Sequence, residues 1–380
     1  MAVEKKRPRG LKSSSANKKA TPVKKAKTDV DEKDIPENAQ TVMINKEVEE
    51  GDEVGEAAAL LDDAIDKLEK NPSEVLALLR GTIHESDRIL RNWESEEPLP
   101  ALFYYTYGTA LYELGRLTED EEFEPFLEAA EERLQDGFDH YKKDGEASES
   151  NQEVLNKMDL TLGKIWLAKA AASVDDDSEE VGELSLKALE TLDKACGQQT
   201  VTVTTLLDIG NIVQNHGDLY SKLEHRNKFT QWAEGIFKRI LKDDANNARA
   251  LSELGLSQLS LANYWLERAD EIEDNGGDDR TERSKEEQHA YDAILNAKKY
   301  FIESQAALEK NGALTPQIHT DLAEAYLNEA NLTPNPEEQN TLYKQVKKCI
   351  DEAKSLATGS DYELPEGLNL FLEEWSDGKE

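Results

Sequence analysis

The chain has few of the residues and segments that mark secreted or membrane-spanning proteins. Its 380 residues include two cysteines, Cys196 and Cys349, too few for a disulfide framework, which favours a reducing compartment. No apolar run approaches the roughly 18 residues that a membrane-spanning helix requires. The N-terminus has no apolar segment of the kind found in a secretory signal. We therefore expect an intracellular protein with no membrane contact.

Basic side chains are also scarce over most of the chain. Lys and Arg total 45 against 80 Asp and Glu, so the formal net charge is −35. A body this acidic is poorly suited to neutralising phosphates, so we expect no direct nucleic-acid binding. The charge is unevenly distributed, because residues 1–30 carry +8 and the remaining 350 residues carry −43. The sequence thus predicts a basic arm followed by an acidic body.

The basic arm carries the residue pattern of a nuclear-import signal. No aromatic residue precedes Trp93, and a Lys-, Ser- and Pro-rich segment buries too little apolar surface to fold, so residues 1–55 are predicted to be disordered. Import receptors recognise clustered basic side chains on extended chain. The alternatives are a basic tail that only aids solubility, or one that touches nucleic acid loosely. The predicted signal residues are Lys5, Lys6, Arg7, Arg9, Lys18, Lys19, Lys24, Lys25 and Lys27.

From residue 56 to residue 380 the pattern is that of successive amphipathic helices. In Ala57–Lys70 the apolar residues recur on one helical face, and Asn71-Pro72 is expected to end that helix. Alternation with period two is nearly absent, so no sheet is predicted. The fold class predicted is all-α.

A repeated small residue favours a helical repeat array over a single bundle. The first-helix signature of tetratricopeptide repeats, a small residue between large ones, recurs five times, at Gly108, Gly163, Gly210, Gly255 and Ala323. The spacings are irregular, whereas regular repeats of this type have about 34 residues. We predict an irregular tetratricopeptide-like solenoid of roughly five to seven helix pairs. A non-repetitive helical bundle is the alternative.

The sequence contains no recognisable catalytic or metal-binding pattern. Its six histidines form no i, i+4 pair, its two cysteines are far apart, and no glycine-rich phosphate loop is present. The cysteines are interpreted as small buried hydrophobic residues. We therefore predict neither an enzyme nor a cofactor.

Polar residues of the first helices are candidates for partner binding. In tetratricopeptide folds, set positions around the small residue line the concave face, where basic and amide groups bind carboxylates or backbone. The alternative is that they make ordinary contacts between helices. The candidates are Lys157, Lys164, Asn211, Gln214 and Arg249.

Two short motifs resemble the fungal family of enhancers of translation termination. The first is the basic opening Arg7-Pro8-Arg9-Gly10-Leu11, and the second is the helix Gly81–Arg91, with the sequence GTIHESDRILR. The resemblance is closest to the branch containing the fission-yeast negative regulator of a prolyl-hydroxylase-like 2-oxoglutarate oxygenase. A structural interpretation of the helix also exists, in which Ile83, Ile89 and Leu90 face the core.

The resemblance implies a non-catalytic nuclear adaptor that binds and inhibits a 2-oxoglutarate- and iron-dependent dioxygenase. Its action would restrain the oxygen-dependent degradation of a sterol-responsive transcription factor. The expected partners are this 2-oxoglutarate-dependent oxygenase and a nuclear import receptor, and the expected location is the nucleus, with shuttling to the cytoplasm. Two alternatives remain open: a scaffold that promotes translation termination, and an acidic chaperone for a basic client protein.

Overall fold

The computed structural model describes residues 48–49, 51–68, 72–118, 123–141, 149–174, 180–273, 283–357 and 362–377. Within these ranges the chain forms thirteen α-helices and no strand. Their bounds are α1 Glu53–Lys67, α2 Pro72–Asn92, α3 Ala101–Leu117, α4 Phe123–Tyr141, α5 Glu149–Ala171, α6 Glu183–Cys196, α7 Val203–Gly217, α8 Leu223–Asp243, α9 Ala248–Glu273, α10 Lys285–Lys310, α11 Pro316–Asn331, α12 Pro336–Leu356 and α13 Glu366–Asp377.

The helices belong to two compact units, divided between Val201 and Thr202. In the N-terminal unit α1 pairs with α2, α3 with α4, and α5 with α6, and the first helices of neighbouring pairs also touch. In the C-terminal unit the pairs are α7 with α8, α9 with α10, and α11 with α12, again with contacts between successive first helices. This order of contacts is that of a helical repeat array.

The small residues recognised in the sequence lie where paired helices approach most closely. A Cβ atom on Gly108 would collide with Leu134 of α4, and one on Gly163 with Leu192 of α6. In the C-terminal unit, Phe237 of α8 covers Gly210 in the same manner. A side chain at these positions would push the helices apart, so the signature reports true helix packing.

Helix length explains why the repeat spacing is irregular. Helix α7 has 15 residues, whereas α9 and α10 have 26 each. The long α9–α10 pair stretches the interval between Gly255 and Ala323, while shorter pairs give the shorter intervals. The structure thus keeps the helix-pair unit and varies its length.

The first helix ends several residues earlier than its apolar pattern predicts. Helix α1 ends at Lys67, and Pro72 is the first residue of α2. Proline suits this position because the N–H that it lacks would have no partner in the first turn of a helix. The segment Thr200–Thr205, which consists of β-branched residues, leads into helix α7, because the Thr202 hydroxyl caps that helix by accepting from the Thr205 N–H at 3.1 Å. Local capping therefore decided boundaries that apolar periodicity could not.

Other helix ends follow from local hydrogen-bond chemistry. Ser284 caps α10 by accepting from the Glu287 N–H at 3.0 Å, while the Glu287 carboxylate accepts from the Ser284 N–H at 2.8 Å. This reciprocal pair satisfies two N–H groups that the first turn would leave free. At the other end of α10, Gly312 adopts a φ of 65°, which is cheap only for glycine.

Helix α13 covers the apolar end of the last helix pair. Leu368 and Phe371 are buried in the same cluster as Val346 and Ile350 of α12. The Phe371 ring is stacked on Trp375, with centroids 5.8 Å apart. Helix α13 is therefore the capping element that a repeat array requires.

Residues 1–47, and with them the predicted import signal, lie outside the described residues. The predicted division into an arm over 1–55 and a repeat domain over 56–380 thus stays a prediction. No helix within the described ranges is both long and apolar enough to cross a membrane.

Candidate partner-binding surfaces

Lys164, a predicted partner-binding residue, forms a buried ion pair between two first helices. Its Nζ lies 3.1 Å from a carboxylate oxygen of Glu113, and the two side chains are 11% and 4% exposed. Arg116 donates to the other oxygen at 2.6 Å. Burial alone would raise the pKa of Glu113, but Lys164 and Arg116 outweigh it and lower the pKa. Lys164 thus contributes to the contact between α3 and α5.

Lys157 lies on α5 directly before Met158 and is exposed to solvent. Its Nζ is 2.8 Å from Glu153 on the same helix, and both side chains are about half exposed. An exposed pair of this type has little effect on stability. Its ammonium is available for exchange with an external carboxylate.

The other three predicted residues lie together where α7 meets α9. Asn211 donates to Glu253 at 3.0 Å, and Arg249 lies 4.0 Å from the same carboxylate. Gln214 is buried, donates to Asp218 at 3.0 Å and accepts from Ser257 at 3.2 Å. Arg249 is 39% exposed, which makes it the most accessible of the three. Their partner-binding role stays a prediction.

Sequence reasoning missed an acidic seam formed by Glu253, Asp321 and Glu324 on α9 and α11. Asp321 is 4% exposed and accepts from Gln317 at 2.7 Å. Burial raises the pKa of Asp321 to about 7, and the charge of Glu253 adds to this effect. Burial, with the charge of Asp321, also raises the pKa of Glu324 to about 7. Among the described residues, no ion pair is formed by Asp321 or Glu324.

Among 80 acidic residues, nothing in the sequence distinguishes the seam. Only the packing of α11 against α9 shows that these carboxylates are removed from solvent. Buried charges usually have a cationic partner, because desolvation without one is costly. Among the described residues, Asp321 and Glu324 thus lack the cationic partner that such groups usually have.

The motif helix Gly81–Arg91 lies within α2 and divides into an inner and an outer side. Thr82, Ser86 and Ile89 are at most 1% exposed, and the Thr82 hydroxyl donates to the Leu78 carbonyl at 3.0 Å. The interpretation that Leu90 faces the core is wrong, because its side chain is 39% exposed. Leu90 lies about 100° around the helix from Ile89, at the edge of the buried side rather than within it.

The two cysteines and His216 lie in buried environments that do not activate them. Both cysteines are buried free thiols, and burial raises the pKa of Cys349 to about 11. Burial lowers the pKa of His216 to about 4, so its imidazole is neutral at physiological pH. Within the described ranges no three His, Cys, Asp or Glu side chains form a cluster that could hold a metal ion.

Comparison with known proteins identifies the family of the chain. A family model described as nuclear pore complex subunit Nro1 matches residues 1–225. The negative regulator of ofd1 from Schizosaccharomyces pombe is 32% identical over 208 residues, covering 48% of this chain and 50% of that protein. Enhancer of translation termination 1 from Meyerozyma guilliermondii is 33% identical over 143 residues, covering 36% and 33%. The chain thus spans a third to a half of these two relatives.

Longer but weaker similarities extend along most of the chain. Enhancer of translation termination 1 from Eremothecium gossypii is 23% identical over 342 residues, covering 74% of this chain and 80% of that protein. The solved structure of the S. pombe nuclear import adaptor Nro1 has a TM-score of 0.50 and 21% identity, covering 85% of this chain and 99% of that one. This similarity confirms the predicted all-α, tetratricopeptide-like fold.

The family match rests on more than half of the chain. It confirms the predicted resemblance to the enhancers of translation termination and to the oxygenase-regulator branch. It also confirms the predicted nuclear location, and agrees with the prediction that the chain is not an enzyme, since the family is described as a pore-complex subunit. The chain belongs to the Nro1 family of nuclear pore complex subunits.

Proposed function

We propose that the chain is a non-catalytic nuclear adaptor that binds and inhibits a prolyl-hydroxylase-like 2-oxoglutarate and iron dioxygenase. Inhibition restrains the oxygen-dependent degradation of a sterol-responsive transcription factor. The observation that carries the proposal is the similarity to the S. pombe protein named negative regulator of ofd1, at 32% identity over 208 residues.

The chemistry of the described residues supports a role in binding. The two units expose polar and apolar side chains on stacked helices, the architecture through which repeat proteins bind other proteins. The buried thiols and the neutral His216 have structural environments that do not activate them. Regulation through protein contact is the activity these features favour.

The basic arm supplies the proposed second partner, a nuclear import receptor. Its +8 charge is concentrated in 30 residues ahead of an acidic body. An adaptor that holds the oxygenase on its helical body and an import receptor on its arm would carry the enzyme into the nucleus. The two contacts would then be separable by mutation.

Affinity purification of the full chain and of a chain without residues 1–30, under normal and low oxygen, tests this proposal. We expect the oxygenase to be recovered with both chains, and the import receptor with the full chain alone. Recovery of no oxygenase under any condition contradicts the proposed function. Loss of the oxygenase upon removal of residues 1–30 contradicts the division of labour.

A scaffold that promotes translation termination is the second candidate function. It is favoured by the names of several yeast relatives, among them the E. gossypii protein that aligns with 74% of this chain. A stop-codon readthrough reporter in cells lacking the chain tests it. Readthrough that rises without the chain, and that is unaffected by deletion of the oxygenase, would favour this candidate over the first.

An acidic chaperone for a basic client is the third candidate, because the body carries −43. Such binding depends on exposed charges, which salt screens within about 8–10 Å. Association that disappears at moderate salt would favour the chaperone. Association through apolar anchors would persist.

A further inference from the structure

The outer side of α2 and the turn after it expose a small apolar and basic surface. We call Leu90, Arg91 and Trp93 the Leu90–Trp93 patch. Leu90 and Trp93 are 39% and 40% exposed. Leu90 lies at the end of the motif helix and Trp93 just beyond it, and the inner side of that helix is occupied by core packing. Core packing therefore accounts for the inner residues of the motif and leaves Leu90 and Arg91 without a packing role.

Trp93 is the exposed tryptophan of a chain that has five. Trp166 is 6% exposed, and the other three are intermediate. The Trp93 ring is held in place, since its Nε1 donates to the Glu97 carbonyl at 2.8 Å. The Glu97 N–H in turn donates to the Ser95 hydroxyl at 3.1 Å. An aromatic ring fixed by its own loop loses little conformational entropy when a partner covers it.

The guanidinium of Arg91 is directed by backbone rather than by a carboxylate. Its Nε donates to the Asp87 carbonyl at 3.1 Å, and within the described residues it forms no ion pair. The Asp87 carboxylate instead accepts from the Tyr107 hydroxyl. Arg88 differs, because it pairs with Glu85 at 2.7 Å and with Glu53 at 2.8 Å. Arg91 therefore keeps donors for an external carboxylate.

Arg80 extends the basic side of this surface. It is exposed, and among the described residues it has no ion-pair partner. Eleven residues separate it from Arg91, which places the two on one helix face about 16 Å apart. Carboxylates outnumber basic residues in this chain by 80 to 45, and Arg80 and Arg91 are two cationic side chains on one helix face without an ion-pair partner among the described residues.

The exposed carboxylates after the patch restrict what binds there. Glu94 and Glu96 follow Arg91 and Trp93 and are exposed. They repel a polyanion such as RNA, which would have to pass over them. A protein segment with an apolar side chain beside one or two carboxylates avoids this repulsion, because its charge is confined to the Arg91 and Arg80 side.

We propose that the Leu90–Trp93 patch binds an acidic amphipathic segment of the oxygenase, with an apolar side chain on Leu90 and Trp93 and a carboxylate on Arg91. Tryptophan and arginine are the residue types that most often dominate binding energy at protein interfaces. Guanidinium and carboxylate groups match in geometry as well as in charge. This inference rests on the proposed function and specifies where the partner binds.

The test is a titration of the purified full-length oxygenase from the same organism with the full chain and three variants. We expect Trp93→Ala and Arg91→Glu each to weaken binding about 10-fold or more. Leu186→Ala is the matched control, because Leu186 lies on α6 of the same unit and is 41% exposed. We expect its affinity to match that of the unmodified chain within about 2-fold.

Circular dichroism and the thermal midpoint of each variant establish that the fold is kept, which we expect because the substituted side chains are exposed. If the unmodified chain binds the oxygenase and all three variants bind it with equal affinity, the patch is not the binding site, and the proposed function stands. If the unmodified chain does not bind the oxygenase, both the proposed function and the patch are overturned.

Discussion

At the scale of single residues, the close approach of paired helices depends on glycine, whose side chain is a single hydrogen atom. Gly210 lies under the Phe237 ring, whereas Gly235 on the facing helix has nothing within 4 Å of its missing Cβ. The same methyl group is therefore placed in a packed contact at one site and in open space at the other. The two sites form a natural matched pair.

We expect Gly210→Ala to destabilise the C-terminal unit by roughly 1–3 kcal/mol, because the added methyl overpacks the contact with Phe237. Gly235→Ala is expected to stabilise by about 0.5–1 kcal/mol through helix propensity. Urea unfolding, with hydrogen exchange of α7 and α8 to locate the change, measures both. A stabilising Gly210→Ala would contradict the assigned packing.

The buried carboxyl of Asp321 makes the stability of the C-terminal unit depend on pH. Its pKa is near 7 in the folded chain, against 3.8 when unperturbed, so the folded state binds the proton more tightly than the unfolded state. The contribution to stability is complete below pH 3.8 and is lost as the pH rises through 7.

We expect Asp321→Asn to raise the free energy of unfolding by about 1–3 kcal/mol at pH 8, since the amide keeps an acceptor for Gln317 without a buried charge. The gain should be smaller at pH 5, where the folded state holds the proton, and should approach zero only below pH 3.8, where the carboxyl is neutral in both states. Asp351→Asn, at an exposed carboxylate paired with Lys347, is the control and should change little. Equal gains for Asp321→Asn at both pH values would contradict this account.

At the scale of elements, apolar periodicity was enough to predict helices but not their ends. The Ala57–Lys70 pattern located α1, yet the helix begins at Glu53 because Asp52 caps it by accepting from the Gly55 N–H at 2.9 Å. A cap is a hydrogen bond between one side chain and one backbone group, so the periodicity of apolar residues does not indicate where it lies. The small-residue signature succeeded because it reports a contact between helices.

Helix α13 illustrates how neighbouring residues divide between core and solvent. Phe371 is 7% exposed, whereas Leu370 beside it is 42% exposed. We expect Phe371→Ala to destabilise the C-terminal unit by about 3 kcal/mol, because it empties a packed position. The adjacent Leu370→Ala should stay within about 0.5 kcal/mol of the unmodified chain. The denaturant midpoint distinguishes the two, and similar losses would show that α13 does not cap the array as described.

At the scale of the whole molecule, the predicted polar binding residues had unequal outcomes. Lys164 and Gln214 take part in contacts between helices, while the side chains of Lys157 and Arg249 remain accessible to solvent. Register in a repeat predicts which side of a helix a residue occupies. It does not predict that a neighbouring first helix brings Glu113 or Ser257 within bonding distance, because helix length and offset decide that.

The charge of the whole chain likewise required the structure for its interpretation. The −43 of the body comprises exposed carboxylates, carboxylates in ion pairs such as Glu113, and the buried carboxyl of Asp321, which forms no ion pair among the described residues. Only the exposed ones respond strongly to salt. Binding through the Leu90–Trp93 patch should therefore keep its apolar part when salt is raised.

Isothermal titration of the purified oxygenase with the full chain, at about 0.15 M and about 0.5 M salt, tests the central claim most directly. The account predicts saturable binding at both concentrations, with an affinity lower by no more than about 10-fold at the higher one, and inhibition of the oxygenase in step with the bound fraction. No binding at either concentration, or binding without inhibition, would contradict it.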